Sequence, residues 1–259
     1  MGQQRGSSYD FRAGRAQLVP TALKRGYGAA FARRERGELA FFQGHGILER
    51  EKTQEKEGIH TRLIIASGNA HKVREIKQIA APFFNEILSL KEAGLSLDVK
   101  EDGQSFYENA KKKAAAVAAL SGCAALADDS GLCVDALGGA PGIFSARFAG
   151  EGASDGDNNA LLLKRLQNSP APRAARYACA IVLLLPDGGE SSAYGECAGH
   201  ILEAPQGSGG FGYDPLFVPE GFSLSFGQIP AEEKNQISHR AKALRALAAQ
   251  LGAQKGEKA

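Results

Sequence analysis

The chain has 259 residues, 43% of them hydrophobic, enough for a sizeable core in one large domain or two small ones. Its 31 basic and 29 acidic residues leave a formal charge of +2, so no global field argues for nucleic acid or a membrane surface as partner, and a polyanionic ligand has to be held by a local cluster. No run approaches the roughly 18 apolar residues of a membrane span, and Cys123, Cys133, Cys179 and Cys197 lack both CxxC spacing and a nearby histidine ligand pattern. Reduced core thiols are therefore expected, which fits a cytoplasmic protein.

Residues 1–34 carry seven Arg or Lys and one acid, Asp10, without a sustained hydrophobic period. The following stretch, up to residue 61, is charged and equally patternless, so 1–61 is expected to be a poorly ordered extension. An Arg-rich, acid-poor start also suits an organelle transit peptide or upstream sequence misassigned to the protein. From Arg62 the pattern turns regular, and a folded domain is expected over 62–252, with a polar tail at 253–259.

"RLIIAS" is a β-branched run followed by a glycine turn and "KVREIKQIAAPF", where Val73, Ile76, Ile79 and Phe83 share one helical face. The strand, turn and helix around "SGNAHK" would leave first-turn N–H groups facing outward as anion donors, with Lys72 adding a mobile charge. A simple turn with Asn69 as helix cap explains the same residues. "SFYENAKKKAAAVAAL" begins with Ser105 and Glu108 in capping-box spacing and continues as an alanine-rich helix, on which Lys111, Lys112 and Lys113 point in different directions. Glu108 needs no role beyond satisfying the Ser105 backbone. "CAALA" and "RYACAIVLLL" read as buried strands, "SSAYGECAGHILEAP" as one or two exposed ones, and "SHRAKALRALAAQL" as a terminal amphipathic helix. Alternating strands and helices imply an α/β domain.

Asp128 and Asp129 close the "CAALA" strand. Strand neighbours face opposite sides, so both can reach one ion only if the strand ends there, and Ser130–Gly131 is a plausible stop. Acids at the carboxyl end of a buried strand lie where open α/β sheets place ligands, and magnesium with phosphate oxygens wants one or two carboxylates. Glu101 could supply another. "DDSG" is equally good turn chemistry, and the pair could merely cap a loop. Gly207, Gly209 and Gly212 form a GxGxxG, but Pro215 and Pro219 stand where its helix should begin, so a dinucleotide site is rejected. The glycine-rich loop with Phe211 and Tyr213 suits stacking on a flat base instead. Lys234, His239 and Arg240 surround a helix start, a place that disfavours cations unless acceptors pair with them.

Taken together, "SGNAHKVREI", "SFYENAKKKA", "ADDSGLCVDALGGAPGIFSARFAG", "GGFGYDPLF" and "EEKNQISHR" resemble the Ham1 or inosine triphosphate pyrophosphatase family over roughly residues 62–251. The resemblance implies an elongated mixed β-sheet flanked by helices, two lobes with a substrate cleft between them, a homodimer, and magnesium-dependent hydrolysis of non-canonical purine nucleoside triphosphates (ITP, dITP, XTP) to the monophosphate and pyrophosphate. It implies triphosphate binding by Ser67, Gly68, Asn69, Ala70, His71 and Lys72, with a charge from Lys113. Glu101, rather than its neighbour Asp102, and Asp129 would hold the magnesium, Asp129 being also the proton acceptor. Ser130 would touch substrate, Phe211, Gly212, Tyr213 and Asp214 would line the nucleoside site, and Lys234, His239 and Arg240 would contact the base. Inosine and xanthosine present a 6-oxo acceptor where adenine presents a donor, so Arg240 and a protonated or donor-tautomer His239 would reject adenine. A non-catalytic nucleotide-binding or sensing protein, and a phosphatase of another metabolite, are the competing readings.

Overall fold

The structure is a computed structural model and describes residues 62–82 and 84–256. The expected extension at 1–61 and the expected helix-face residue Phe83 lie outside the described residues. Within them the elements run β1 (Arg62–Ile65), α1 (Ala70–Ala80), β2 (Glu86–Ser89), α2 (Phe106–Ser121), β3 (Ala124–Val134), α3 (Asp155–Arg165), β4 (Arg173–Leu184), β5 (Glu190–Ile201), β6 (Phe217–Pro219), α4 (Ala231–Ile237) and α5 (His239–Gly256). Short 3-10 turns follow β3 at Asp135–Leu137 and Gly142–Arg147 and precede β6 at Asp214–Leu216.

The strands form one mixed sheet in the order β2-β1-β3-β4-β5-β6. β1 is parallel to both β2 and β3, and every pairing from β3 to β6 is antiparallel. The fold class is therefore the expected mixed-sheet α/β one. Alternation along the parallel strands sends Leu63, Ile65, Ala124 and Leu126 to the face covered by α1 and α5, and Ile64, Ala66, Ala125 and Ala127 to the face covered by α2. Each fully buried aliphatic side chain contributes about 1.5–3 kcal/mol. A third apolar cluster surrounds Leu132, Tyr177, Phe217 and Phe226, toward the antiparallel end.

Several elements differ from the sequence expectation. β3 does not stop at Ser130–Gly131 but runs to Val134, with Asp129, Ser130 and Gly131 in register against Ala180, Cys179 and Ala178 of β4. Gly131 is there for closeness rather than for a turn: a Cβ would stand 2.2 Å from the Gly142 carbonyl oxygen. β2, only four residues long, and α3, opened by a Ser154/Asp157 capping box, are additions to the expected elements. The terminal helix runs to Gly256, into the stretch expected as a polar tail. All four cysteines are unpaired, and Cys133, Cys179 and Cys197 are buried. No helix among the described residues is long and apolar enough to cross a membrane.

Candidate active site

Because β3 continues through the acidic pair, its two carboxylates leave on opposite faces of the sheet. The expectation that both reach one ion is thereby overturned. Asp128 follows Leu126 onto the α1 and α5 face, where its Oδ2 lies 3.1 Å from Lys72 Nζ and accepts a 3.1 Å hydrogen bond from Arg240 Nε. Asp129 follows Ala127 onto the α2 face, where its Oδ2 accepts from the Asn109 side-chain amide at 3.0 Å and its Oδ1 lies 3.8 Å from Lys113 Nζ. Burial pushes the Asp128 carboxyl up, but Lys72, Arg240 and Lys113 outweigh it and hold the group well below the usual carboxylate range. At Asp129 burial wins over the opposing pull of Lys113 and Lys72, and its affinity for a proton is raised.

In the turn between β1 and α1 Asn69 is the helix cap. Asn69 Oδ1 accepts from the N–H groups of His71 at 2.9 Å and Lys72 at 3.2 Å, so these two first-turn donors are engaged by the protein itself. The Ser67 side chain accepts from the Asn69 N–H at 3.2 Å.

The start of α2 is also only partly as expected. Ser105 Oγ accepts from the Glu108 N–H at 3.2 Å, but the Glu108 carboxylate accepts from the Gln104 N–H at 2.7 Å, one residue before the Ser105 backbone group assigned to it. This cap sets the helix so that Asn109 and Lys113, one turn apart, both face Asp129. Asn109 is fully buried and bridges two elements, its Oδ1 accepting from the Gly103 N–H at 2.8 Å. Lys113 Nζ donates to Glu101 Oε1 at 2.7 Å. Burial pulls the Lys113 ammonium down, and the carboxylates of Asp129, Asp128 and Glu101 more than reverse that. Asp102, the alternative to Glu101, turns away to pair with Lys112 at 2.5 Å and Lys100 at 3.5 Å.

Among the described residues no group of three or more His, Cys, Asp or Glu side chains is gathered as a metal cage. Magnesium does not need one, since it keeps several waters and takes one or two carboxylates together with phosphate oxygens. Glu101 and Asp129 are donors of the type that demand calls for, and both face the Lys113 ammonium, which lies 2.7 Å from one and 3.8 Å from the other.

The aromatic loop and the last two helices form the other wall. Asp214, nearly fully buried, accepts from the Phe211 N–H at 2.8 Å and from Lys234 Nζ at 2.6 Å. Burial raises its affinity for a proton, against the pull of Lys234. Lys234 Nζ stands 4.8 Å from the centre of the Phe211 ring and Arg240 Cζ 5.9 Å, while His71 stacks on Phe211 at 5.3 Å. His239 lies flat against Tyr177, with ring centres 4.7 Å apart. Burial, reinforced by Arg240 and Lys234, pushes its imidazole well below its ordinary value, which favours the neutral of the two forms considered for it. The cations at the α5 start find acceptors within the protein. Arg240 donates to Asp128, to Glu75 and, through Nη2, to Ser130 Oγ at 2.9 Å.

These walls enclose a cavity of about 430 Å³. It is lined by Ser67, Gly68, Asn69, Lys72, Glu101, Lys113, Asp129, Ser130, Phe211, Gly212, Tyr213, Asp214, Lys234, His239 and Arg240. Of the expected site residues only Ala70 and His71 are not in the lining, and His71 reaches it through its stack on Phe211.

The sequence profile described as "Ham1 family" matches residues 63–250, which include every one of these positions. The chain belongs to the Ham1 family. It is 47% identical over 193 residues to a dITP/XTP pyrophosphatase of Geobacter sulfurreducens, covering 74% of this chain and 97% of the relative, and 49% identical over 188 residues to one of Thermus thermophilus, covering 72% and 89%. Among solved structures the Staphylococcus aureus Ham1 protein matches with a TM-score of 0.67 at 39% identity, over 74% of this chain and 99% of its own. A nucleoside-triphosphatase / dITP/XTP pyrophosphatase of Mycobacterium abscessus matches with a TM-score of 0.60 at 40% identity, over 73% and 98%.

Three polar residues that build this Ham1 site were not foreseen. Glu75 on α1 pairs with Arg240 and lies 3.5 Å from Lys234. Asn109 orients Asp129, and Asp155 at the start of α3 accepts from the Gly212 N–H at 2.7 Å. Each sits where a solvated helix face or cap would carry the same residue type, so only the three-dimensional contact distinguishes it. The capping-box spacing of Ser154 and Asp157 would at least have located the turn of α3 that carries Asp155.

Proposed function

We propose that this chain hydrolyses non-canonical purine nucleoside triphosphates, ITP, dITP and XTP, to the monophosphate and pyrophosphate. The observation that carries the proposal is a single cavity with Asp129, Glu101 and Lys113 on one wall and the Phe211–Asp214 loop on the other. The kinship with dITP/XTP pyrophosphatases supports the same activity.

In this reading Phe211 stacks on the purine and Gly212, Tyr213 and Asp214 shape the nucleoside end. The Ser67–Lys72 turn, including Ala70 and His71, and Lys113 hold the triphosphate, while Ser130 touches it beside Asp129. Glu101 and Asp129 hold magnesium, which when bound supplies neutralisation of the phosphate charge. Asp129 takes a proton from the water whose oxygen forms a bond to the α-phosphorus as the α–β bridging bond breaks and pyrophosphate departs. Lys72 and Lys113 balance the charge gathering on the leaving group, the kind of electrostatic help that often supplies the largest share of such catalysis. At the base, donors from Arg240 and the neutral donor tautomer of His239, with Lys234 beside the ring, meet a 6-oxo acceptor and would be left unpaired against the 6-amino group of adenine. We further propose a homodimer, two lobes meeting at the cleft, and a cytoplasmic setting, which the unpaired cysteines support.

Pyrophosphate release measured on ITP, XTP, dITP, ATP and GTP, with and without magnesium, tests the proposal. Magnesium-dependent pyrophosphate from ITP, dITP and XTP, well above that from ATP, is expected. Comparable turnover of ATP would defeat the account of base choice, orthophosphate as the product would indicate a phosphatase, and no turnover would indicate a binding protein.

A further inference from the structure

The reach that carries Glu101 is unusually poorly tied. From Ser96 to Asp102 the chain is neither helix nor strand, and no N–H or C=O of this stretch bonds to another backbone group among the described residues. Leu97, Val99 and Glu101 are half-buried and line the cavity together with the exposed Asp98, while Ser96, Lys100 and Asp102 are exposed and lie outside the lining. Among the described residues its backbone has a single hydrogen bond, from Arg147 Nη2 to the Glu101 carbonyl oxygen at 2.9 Å. Arg147 ends the 3-10 turn Gly142–Arg147, whose Ile143, Ser145 and Ala146 line another stretch of the same cavity. That turn is itself firmly seated, because Ser145 Oγ accepts from the Leu132 N–H at 2.9 Å and donates to the Gly142 carbonyl at 2.6 Å. The guanidinium is further braced over the Phe144 ring at 5.3 Å and lies 3.5 Å from Glu151.

We propose that Arg147 is a positioning residue that pins the Glu101 peptide across the cavity rim and so fixes the distance between the Glu101 and Asp129 carboxylates. The bond joins an anchored turn to an unanchored strand-like reach at the very residue whose side chain faces the cavity. An ionised donor on a carbonyl is stronger than a neutral one and holds its geometry better, because the guanidinium is planar. Without it, Glu101 is left with the flexible Lys113 ammonium and side-chain packing, and the two carboxylates no longer hold a fixed separation. Asp129, held by Asn109 within the sheet, stays in place.

This inference rests on Glu101 being a metal ligand, and the test separates the two. Hydrogen exchange on the metal-free protein is expected to show faster exchange at amides 96–102 in Arg147→Ala, with those of β3 and β4 unchanged. The magnesium concentration for half-maximal pyrophosphate release is expected to rise about tenfold or more, the usual effect of losing a group that orients a metal ligand, with turnover at saturating magnesium largely kept. Arg147→Lys, which retains a cationic donor, should recover part of both effects, and Arg147→Met neither. Unchanged exchange at 96–102 in Arg147→Ala, or acceleration spread uniformly over the sheet in both Arg147→Ala and Arg147→Met, would overturn the proposal. Glu101→Gln is run beside them: if its magnesium dependence matches the wild type, the ligand role of Glu101 fails, while exchange at 96–102 still decides whether Arg147 pins the reach.

Discussion

Asp128 and Asp129 are neighbours in one strand, both buried and both facing lysines, yet the sheet sends them into different environments. Asp128 enters a cluster with Lys72, Arg240 and, through Arg240, Glu75, and its burial is outweighed by the cations around it. Asp129 enters the cavity wall, where burial outweighs Lys113 and raises its proton affinity. The lesson is that a strand can use its period of two to assign opposite tasks to adjacent carboxylates, one holding the walls together and the other left basic toward a ligand.

The comparison is broken most severely by Asp129→Asn. Removing the proton acceptor should lower turnover by about 10²–10⁴-fold, read as pyrophosphate release, with the circular dichroism of the fold unchanged. Asp128→Ala should act on stability: Lys72 and Arg240 lose their shared buried carboxylate while Arg240 keeps Glu75, so the loss should fall at or below the low end of the about 3–5 kcal/mol for an unpaired buried charge, read by urea denaturation.

The dependence on pH sharpens the contrast because the signs differ. Asp128, whose native value is depressed, contributes stability above the ordinary aspartate value that is lost as pH falls through its native one. Asp129 runs the other way: the native state binds its proton more tightly than the unfolded chain does, so its contribution declines as pH rises from the ordinary value through the raised one. Denaturation midpoints at neutral pH should therefore show Asp129→Asn as stable as the wild type or more so, and Asp128→Asn less stable. The smallest effect is expected from Ser105→Ala, which uncaps the helix that presents Asn109 and Lys113 to Asp129. It should cost about 1 kcal/mol, read as a lowered denaturation midpoint.

Much of this site was legible in the sequence because its parts sit at element ends. Asn69 and Ser105 announce the starts of α1 and α2, and Phe211–Asp214 lies in a glycine loop that cannot be helix or strand for long. The partition of the acidic pair was hidden by Gly131, which reads as a turn but answers to the approach of the Gly142 carbonyl from elsewhere in the chain. The cations at the start of α5 looked as if they needed a ligand, whereas Asp128, Glu75 and Ser130 already take three of the five N–H donors of Arg240. Such pairings join residues more than a hundred positions apart, and no local pattern encodes them. β2 escaped for a simpler reason, since four residues pairing at one edge carry too little alternation to stand out.

The most direct test of the division of labour is the single-turnover rate of ITP cleavage by Asp129→Asn and Asp128→Asn at saturating magnesium and at a temperature where both are folded. The account predicts a chemical step slowed by orders of magnitude in Asp129→Asn and a far smaller change in Asp128→Asn. A near wild-type rate in Asp129→Asn, or an equal loss in both, would contradict it.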